Sequence, residues 1–213
     1  MTIILNQNFI AMEKKLDVME LVTQGVTIGL KNFLSLLGAL ILYLITIWIP
    51  YLNVGTTIAM ASLPIELSKG NIMNPTSIFD AKYRKFMGDF FILQGLKTMA
   101  MIPAILFLVI PAYVLGISWS LSVYLLLDKG LSPMQALTAS NRHTYGNKWR
   151  IFFGLLILVV CFMIVSALLG LVTEFLSVLA ALLFVPIILG AYAYIYRTLV
   201  LEVGAISEAP AQE

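Results

Sequence analysis

The chain has 213 residues, 61% of them hydrophobic and only 11% charged, with 13 Lys and Arg against 11 Asp and Glu. Soluble domains run nearer half apolar and about a quarter charged, so this composition excludes an ordinary water-soluble globule and a disordered chain. A formal net charge of +2 leaves no basic footprint for nucleic acid. The chain reads as an integral membrane protein.

In chain order, the apolar run Ile3 to Leu5 is too brief for the core of a signal peptide. Met12, followed by Glu13-Lys14-Lys15, is a second candidate start. Asp17-x-x-Glu20 then opens a short amphipathic helix: the first oxygen caps free N–H groups and the acid reaches back. That helix is expected to stop at Gly29, with Asn32 capping the next element and Phe33 following.

Residues 32–65 carry no Lys, Arg, Asp or Glu over 34 residues. As one helix they would measure about 51 Å, against a hydrocarbon core of about 30 Å. Ile49-Pro50 interrupts them, and proline disfavours helix at the residue before it. Two spans with a tight turn are predicted, the second ending in Glu66-Leu67-Ser68-Lys69-Gly70.

The same unit is written again. Ser77-x-x-Asp80 opens a helix whose Ile78, Phe79, Tyr83, Phe86 and Met87 share a face, with Lys82, Arg84 and Lys85 beside it. Such a helix either lies in the membrane interface with its cations on anionic headgroups or packs across its own bundle. Gly88, Asp89 and Phe90 repeat the stop, cap and aromatic. The charge-free run 98–127 turns at Ile110-Pro111 and closes in Leu127-Asp128-Lys129-Gly130.

A third unit begins at Ser132-Pro133-x-Gln135, stops at Gly146, and is followed by Asn147 and Trp149. The stop glycines fall 59 and 58 residues apart. Two further charge-free runs, 151–173 and 175–196, fit one span each and turn near Gly170. Tyr192, Tyr194 and Tyr196 with Arg197 read as an anchor at the inner interface.

The fold class expected is all-α: a polytopic membrane helical bundle of six transmembrane helices. They form three hairpin repeats, each preceded by a cytoplasmic amphipathic helix. Residues 1–213 make one membrane domain, with units at about 17–70, 77–130 and 132–200 and a tail at 201–213. Six spans with a cytoplasmic N-terminus place the basic residues on the inner face, in or beside segments 1–32, about 68–89, about 128–148 and the tail. Lys97 alone falls within a span, about two turns deep, where it can snorkel inward. Both termini are then cytoplasmic.

Residues 110–153 carry a more specific pattern: Ile-Pro-Ala-Tyr, then Leu-Leu-Leu-Asp-Lys-Gly-Leu-Ser-Pro-Met-Gln-Ala-Leu-x-x-Ser, then Tyr-Gly-Asn-Lys-Trp-Arg-Ile-Phe. This resembles the six-span bacterial membrane proteins of a domain-of-unknown-function family. It is also similar to the related membrane domain fused to some glycerophosphoryl diester phosphodiesterases. The matching positions are Pro111, Asp128, Gly130, Pro133, Ala136, Leu137, Ser140, Gly146, Asn147 and Trp149. The resemblance implies a bacterial inner-membrane protein and no reaction. In the fused relatives the phosphodiesterase activity resides in a separate soluble barrel, for which 213 residues leave no room.

Chemistry-bearing residues are sparse. His143 is the only histidine and Cys161 the only cysteine, so neither an ordinary zinc site nor an intrachain disulfide can be assembled. His143 reads as a solvated side chain on an interfacial helix. No phosphate-cradling loop or nucleophile elbow is present, and neither enzyme activity nor a cofactor is expected.

Within the membrane, Glu66 and Lys97 form a candidate polar pair between spans 2 and 3. Gly116/Ser120 and Ser118/Ser122 are small residues four apart that suit close helix packing. Lys82, Arg84, Lys85, Asp128, Ser140, Arg142, Trp149 and Arg150 are the candidate interfacial or partner contacts.

Three functions compete. The first is a scaffold or accessory subunit acting through cytoplasmic-face helices and the bundle surface, in a larger membrane complex or a homo-oligomer, with anionic lipid headgroups as neighbours. The second is a small-solute or lipid transporter or channel built from three hairpins. The third is a lipid-active enzyme, for which no clustered site can be assembled.

Overall fold

The computed structural model describes residues 15–72, 74–107 and 109–203. Met12, Lys14 and the tail beyond 203 lie outside the described residues. Among the described residues all regular structure is helical, as the apolar runs require: in lipid, backbone groups must be satisfied within the segment. Helix α1 spans Val18–Lys31, α2 Phe33–Thr46 and α3 Pro50–Ser68. Two 3-10 turns, Pro75–Phe79 and Ala81–Phe86, lead to α4, Met87–Phe107. Then come α5 (Val109–Ser118), α6 (Ser122–Lys129), α7 (Pro133–Thr144), α8 (Lys148–Gly170) and α9 (Glu174–Tyr196), which runs on into a π-helical turn at Arg197–Leu201.

Among the described residues, four stretches are long and apolar enough to cross a membrane: Ala81–Leu106, Ile110–Lys129, Lys148–Gly170 and Ala180–Leu201. The pair α1 and α2, bent by 73°, is a fifth if counted as one broken span. The class of protein is therefore an all-helical membrane protein with four to five candidate membrane-spanning helices.

Several sequence signals act where they were read. Asp17 accepts the Glu20 N–H at 2.8 Å and starts α1. Ile49 is extended and Pro50 occupies the first turn of α3, so the turn of the first hairpin falls at Ile49-Pro50. Pro133 opens α7, and the Gln135 side chain accepts the Ser132 N–H at 3.2 Å. Gly70, Gly130 and Gly146 take positive φ of 79°, 63° and 77° and end α3, α6 and α7, a conformation that favours glycine.

Other signals are overridden by packing. Gly29 lies inside α1 and Gly88 in the first turn of α4, neither in the left-handed region. Gly25 and Gly29 instead let α1 press against α9. A Cβ on Gly29 would stand 2.6 Å from the Pro186 carbonyl oxygen, and one on Gly190 would stand 2.4 Å from that of Gly25. Small residues four apart permit such backbone approach. Helix α1 thus packs one face, Leu21, Gly25 and Gly29, into the bundle and leaves the opposite face exposed.

The stretch expected as a second amphipathic helix breaks into two 3-10 turns at Asp80, and Asn74 caps the first by accepting the Thr76 N–H at 3.2 Å. Ile78 and Tyr83 are buried, whereas Lys82, Arg84 and Lys85 are exposed. Pro75 packs on Gly38 of α2 and Arg84 lies along Gly55 of α3, so this segment packs on its own bundle. Gly55 is roughly 20 Å along α3 from Ser68, so Arg84 and Lys69 do not sit at one level.

Helix α3 is well enclosed over its second half, with ten buried residues from Gly55 to Ser68. That position tolerates polar groups which a lipid-facing span does not. Asn53 donates to the Ile47 carbonyl at 2.9 Å and accepts from Thr57 at 2.9 Å.

Around the turn expected at Ile110-Pro111, α4 is described up to Phe107 and α5 from Val109, with Pro111 near the start of α5. Proline lacks an N–H, and a helix's first turn needs none there.

Candidate functional site

The polar interior is built from helix ends. Helix α6 ends at Lys129 and α3 at Ser68, each followed closely by a left-handed glycine. The two ends meet: Lys69 Nζ pairs with Asp128 Oδ1. From α9, the Tyr196 hydroxyl donates to Asp128 Oδ2 at 2.8 Å, and Lys129 Nζ stands 3.9 Å from the same oxygen. With its side chain 9% exposed, Asp128 is an internal tie joining three helices and not a free partner contact.

One turn back along α6, the Tyr124 ring meets Tyr196 and Tyr192 edge-on, at 5.8 and 6.1 Å between centroids. Tyr124/Asp128 and Tyr192/Tyr196 are two pairs spaced four apart, so each pair shares a helix face. Tyr194 and Tyr196 are buried; these aromatics fill the bundle interior and are not an interface anchor.

Between α5 and α6 the helix breaks at Trp119–Leu121. Ser140 of α7 repairs the break. Its hydroxyl donates to the Ser118 carbonyl at 2.6 Å and accepts the Leu121 N–H at 3.2 Å. Thr144 adds a contact to the same carbonyl at 3.4 Å. Helix ends leave such groups without intrahelical partners, and side chains must supply them. Ser140 is therefore fully buried, and its expected place among surface contacts does not hold.

His143 is also drawn inward. Its Nδ1 lies 2.8 Å from the Leu199 carbonyl oxygen in the π-helical turn. Burial holds its pKa below the usual histidine value, partly offset by that carbonyl and reinforced by the charges of Arg142 and Lys129. It is not a solvated histidine.

A last tie fixes the start of α1. The Leu16 N–H donates to Asn147 Oδ1 at 2.8 Å, and Arg150 Nη1 donates to the Leu16 carbonyl at 2.9 Å. Arg150 therefore acts within the chain.

Of the remaining candidates, Arg142 is exposed. Trp149 is 67% exposed and stacks on Phe153 at 6.0 Å. Lys82 lies 3.6 Å from Asp80, both exposed, and the Arg84 guanidinium lies 5.9 Å from the Tyr51 ring centre. Glu66 and Lys97 are not brought together: Glu66 Oε2 accepts from Asn71 at 3.1 Å. Among the described residues no three of His, Cys, Asp and Glu converge on a metal-sized space.

A feature that the sequence reading missed lies in front of the tyrosine cluster. Helices α5 and α8 enclose two adjoining recesses, of about 560 and 460 Å3, which share Tyr113, Ile117 and Phe152. The larger has hydrocarbon walls from Ile105, Leu155, Leu156 and Val159, with Tyr192 at its base. The smaller opens beside Tyr145, Lys148 and Trp149. Tyr113 meets Phe152 edge-on at 5.8 Å. The only hint in the sequence was Gly116, whose missing side chain helps leave the space open; nothing in spacing places α5 across α8.

No family model, curated protein or solved structure matches the chain.

Proposed function

We propose that the protein is a non-enzymatic membrane scaffold or accessory subunit that works through its bundle surface. The observation that carries this reading is the use made of its buried and half-buried polar side chains. Asp128, Ser140, His143 and Asn147 each tie one segment of the chain to another. They hold a shape. The exposed cations Lys82, Arg84, Lys85 and Arg142, with Trp149, are then the groups free to meet a partner or anionic headgroups. Photocrosslinkers at positions 85, 142 and 149, activated in the native membrane, test it. One protein partner captured in fixed ratio from at least two positions supports the reading. Adducts confined to lipid and to the chain itself overturn it.

Six crossings as three hairpins, with both termini cytoplasmic in a bacterial inner membrane, belong to the same proposal. The charge-free runs and the motif of residues 110–153 support them. Against them stand Arg84, which lies along Gly55 and far from Lys69, and Ile110, which lines one recess with Lys148 and Trp149. With Cys161 replaced by serine, Trp48→Cys and Gly70→Cys, on either side of α3, should react with a membrane-impermeant thiol reagent from opposite sides. Reaction from one side removes the first hairpin, and reaction of Ile110→Cys from the same side as Trp149→Cys removes the second.

Lys97 favours a second reading, a small-solute or lipid transporter or channel. It is half-buried within the candidate span Ala81–Leu106, where an ionisable group is costly unless used. Solute uptake by proteoliposomes, lost in Lys97→Met with the fold retained, would establish it.

A further inference from the structure

We propose that the crevice between α5 and α8 holds one anionic phospholipid, with an acyl chain in the inner recess and its phosphate on Lys148. Each recess lies within the size range of small-ligand sites, roughly 300–1,000 Å3, and their shared walls make them one slot. The slot is graded. Its inner part is hydrocarbon, and its mouth carries Lys148 flanked by Tyr145 and Trp149, the aromatic types that settle at the headgroup level.

Among the described residues, Lys148 is the one charged residue lining either recess, and no acid lines them. It donates to Asn141 Oδ1 at 2.9 Å, which leaves two of its three N–H donors for a phosphate. A cation at one end of an apolar slot complements an anionic headgroup on a hydrocarbon tail. A partner's apolar transmembrane segment would leave that cation unpaired. The floor has room as well: a Cβ on Gly116 would meet only Met101 Cε, at 3.8 Å.

The inference rests on the reading of the bundle surface as the working surface, but a resident lipid found without any protein partner would uphold it while sinking the accessory-subunit reading. The test is native mass spectrometry of the purified full chain, titrated with phosphatidylglycerol and with phosphatidylcholine of identical acyl chains. One tightly retained phosphatidylglycerol is expected, with phosphatidylcholine held about fivefold more weakly, since one lysine near an anionic surface contributes about that factor. Lys148→Met should erase the preference yet keep a lipid bound. Gly116→Leu should lose the bound lipid by filling the inner recess, and Lys31→Met, at an exposed lysine outside the slot, should change nothing. Equal retention of the two lipids by the unaltered chain overturns the proposal. So does a retained preference in Lys148→Met, a lipid undisturbed by Gly116→Leu in protein of unchanged melting temperature, or a polypeptide in the slot.

Discussion

Replacing Gly190 by alanine probes the tightest approach at any glycine among the described residues. The added methyl would stand 2.4 Å from the Gly25 carbonyl oxygen and 2.8 Å from the Gly29 nitrogen. Both are backbone atoms of α1, so no side chain can swing aside. Reaching an ordinary contact requires α1 and α9 to separate by about 1 Å, and α1 is tied at its start by Asn147 and Arg150. Overpacking of this kind costs about 1–3 kcal/mol. Opposing it, alanine gains up to about 1 kcal/mol over glycine in helix propensity. Gly95→Ala isolates that gain, because nothing lies within 4 Å of its would-be methyl. The two variants should therefore move in opposite directions, Gly190→Ala losing about 1–2 kcal/mol net and Gly95→Ala gaining a few tenths to about 1. Thermal unfolding in a mild detergent, read by size-exclusion survival, measures both. If Gly190→Ala melts at or above Gly95→Ala, the close crossing of α1 on α9 is wrong.

Three further outcomes are expected. Asp128→Asn should cost about 1–3 kcal/mol; a double-mutant cycle with Lys69→Met should return a coupling nearer about 1, because the lysine is 37% exposed. No coupling would mean that the two helix ends do not meet. Ser140→Ala strips the Leu121 N–H of its side-chain acceptor and should cost about 1–3 kcal/mol. Thr138→Ala on the exposed face of the same helix should stay within about 0.5. Equal effects from the two would refute the repair of the broken helix. For His143, the folded pKa lies below the unfolded one, so protons favour the unfolded chain. Its contribution to stability is complete above the usual value of 6.5 and is lost as pH falls from there towards the folded value. Melting temperature should drop over that window, and His143→Gln should remove that part of the drop. A profile unchanged by the substitution contradicts a half-buried, neutral His143.

The membrane class was legible from charge spacing alone, since long uncharged runs have few other uses. Local chemistry was legible too: Asp17 and Gln135 act as caps, Ile49-Pro50 turns, and Gly146 takes the left-handed conformation that its position after α7 requires. Long-range packing was not. Gly29 looks like a stop because glycine ends helices, yet its missing side chain serves the approach of α9, a partner some 160 residues away that no local window contains. Ser140 looks like a surface serine until Ser118 and Leu121 are placed beside it. Lys69 and Asp128 end segments that read alike, a clue to their meeting that spacing could suggest but not orient. The cleft had no sequence signature beyond Gly116, because it arises from the crossing of α5 over α8.

The scaffold reading is tested most directly by native mass spectrometry of the protein released gently from its own membrane, where stoichiometry and bound chains are seen together. A foreign subunit in fixed ratio, surviving extraction and dissociating when positions 85, 142 and 149 are altered, is the expected result. A homogeneous monomer or homo-oligomer without a partner, in protein that still holds its native melting temperature, would contradict it.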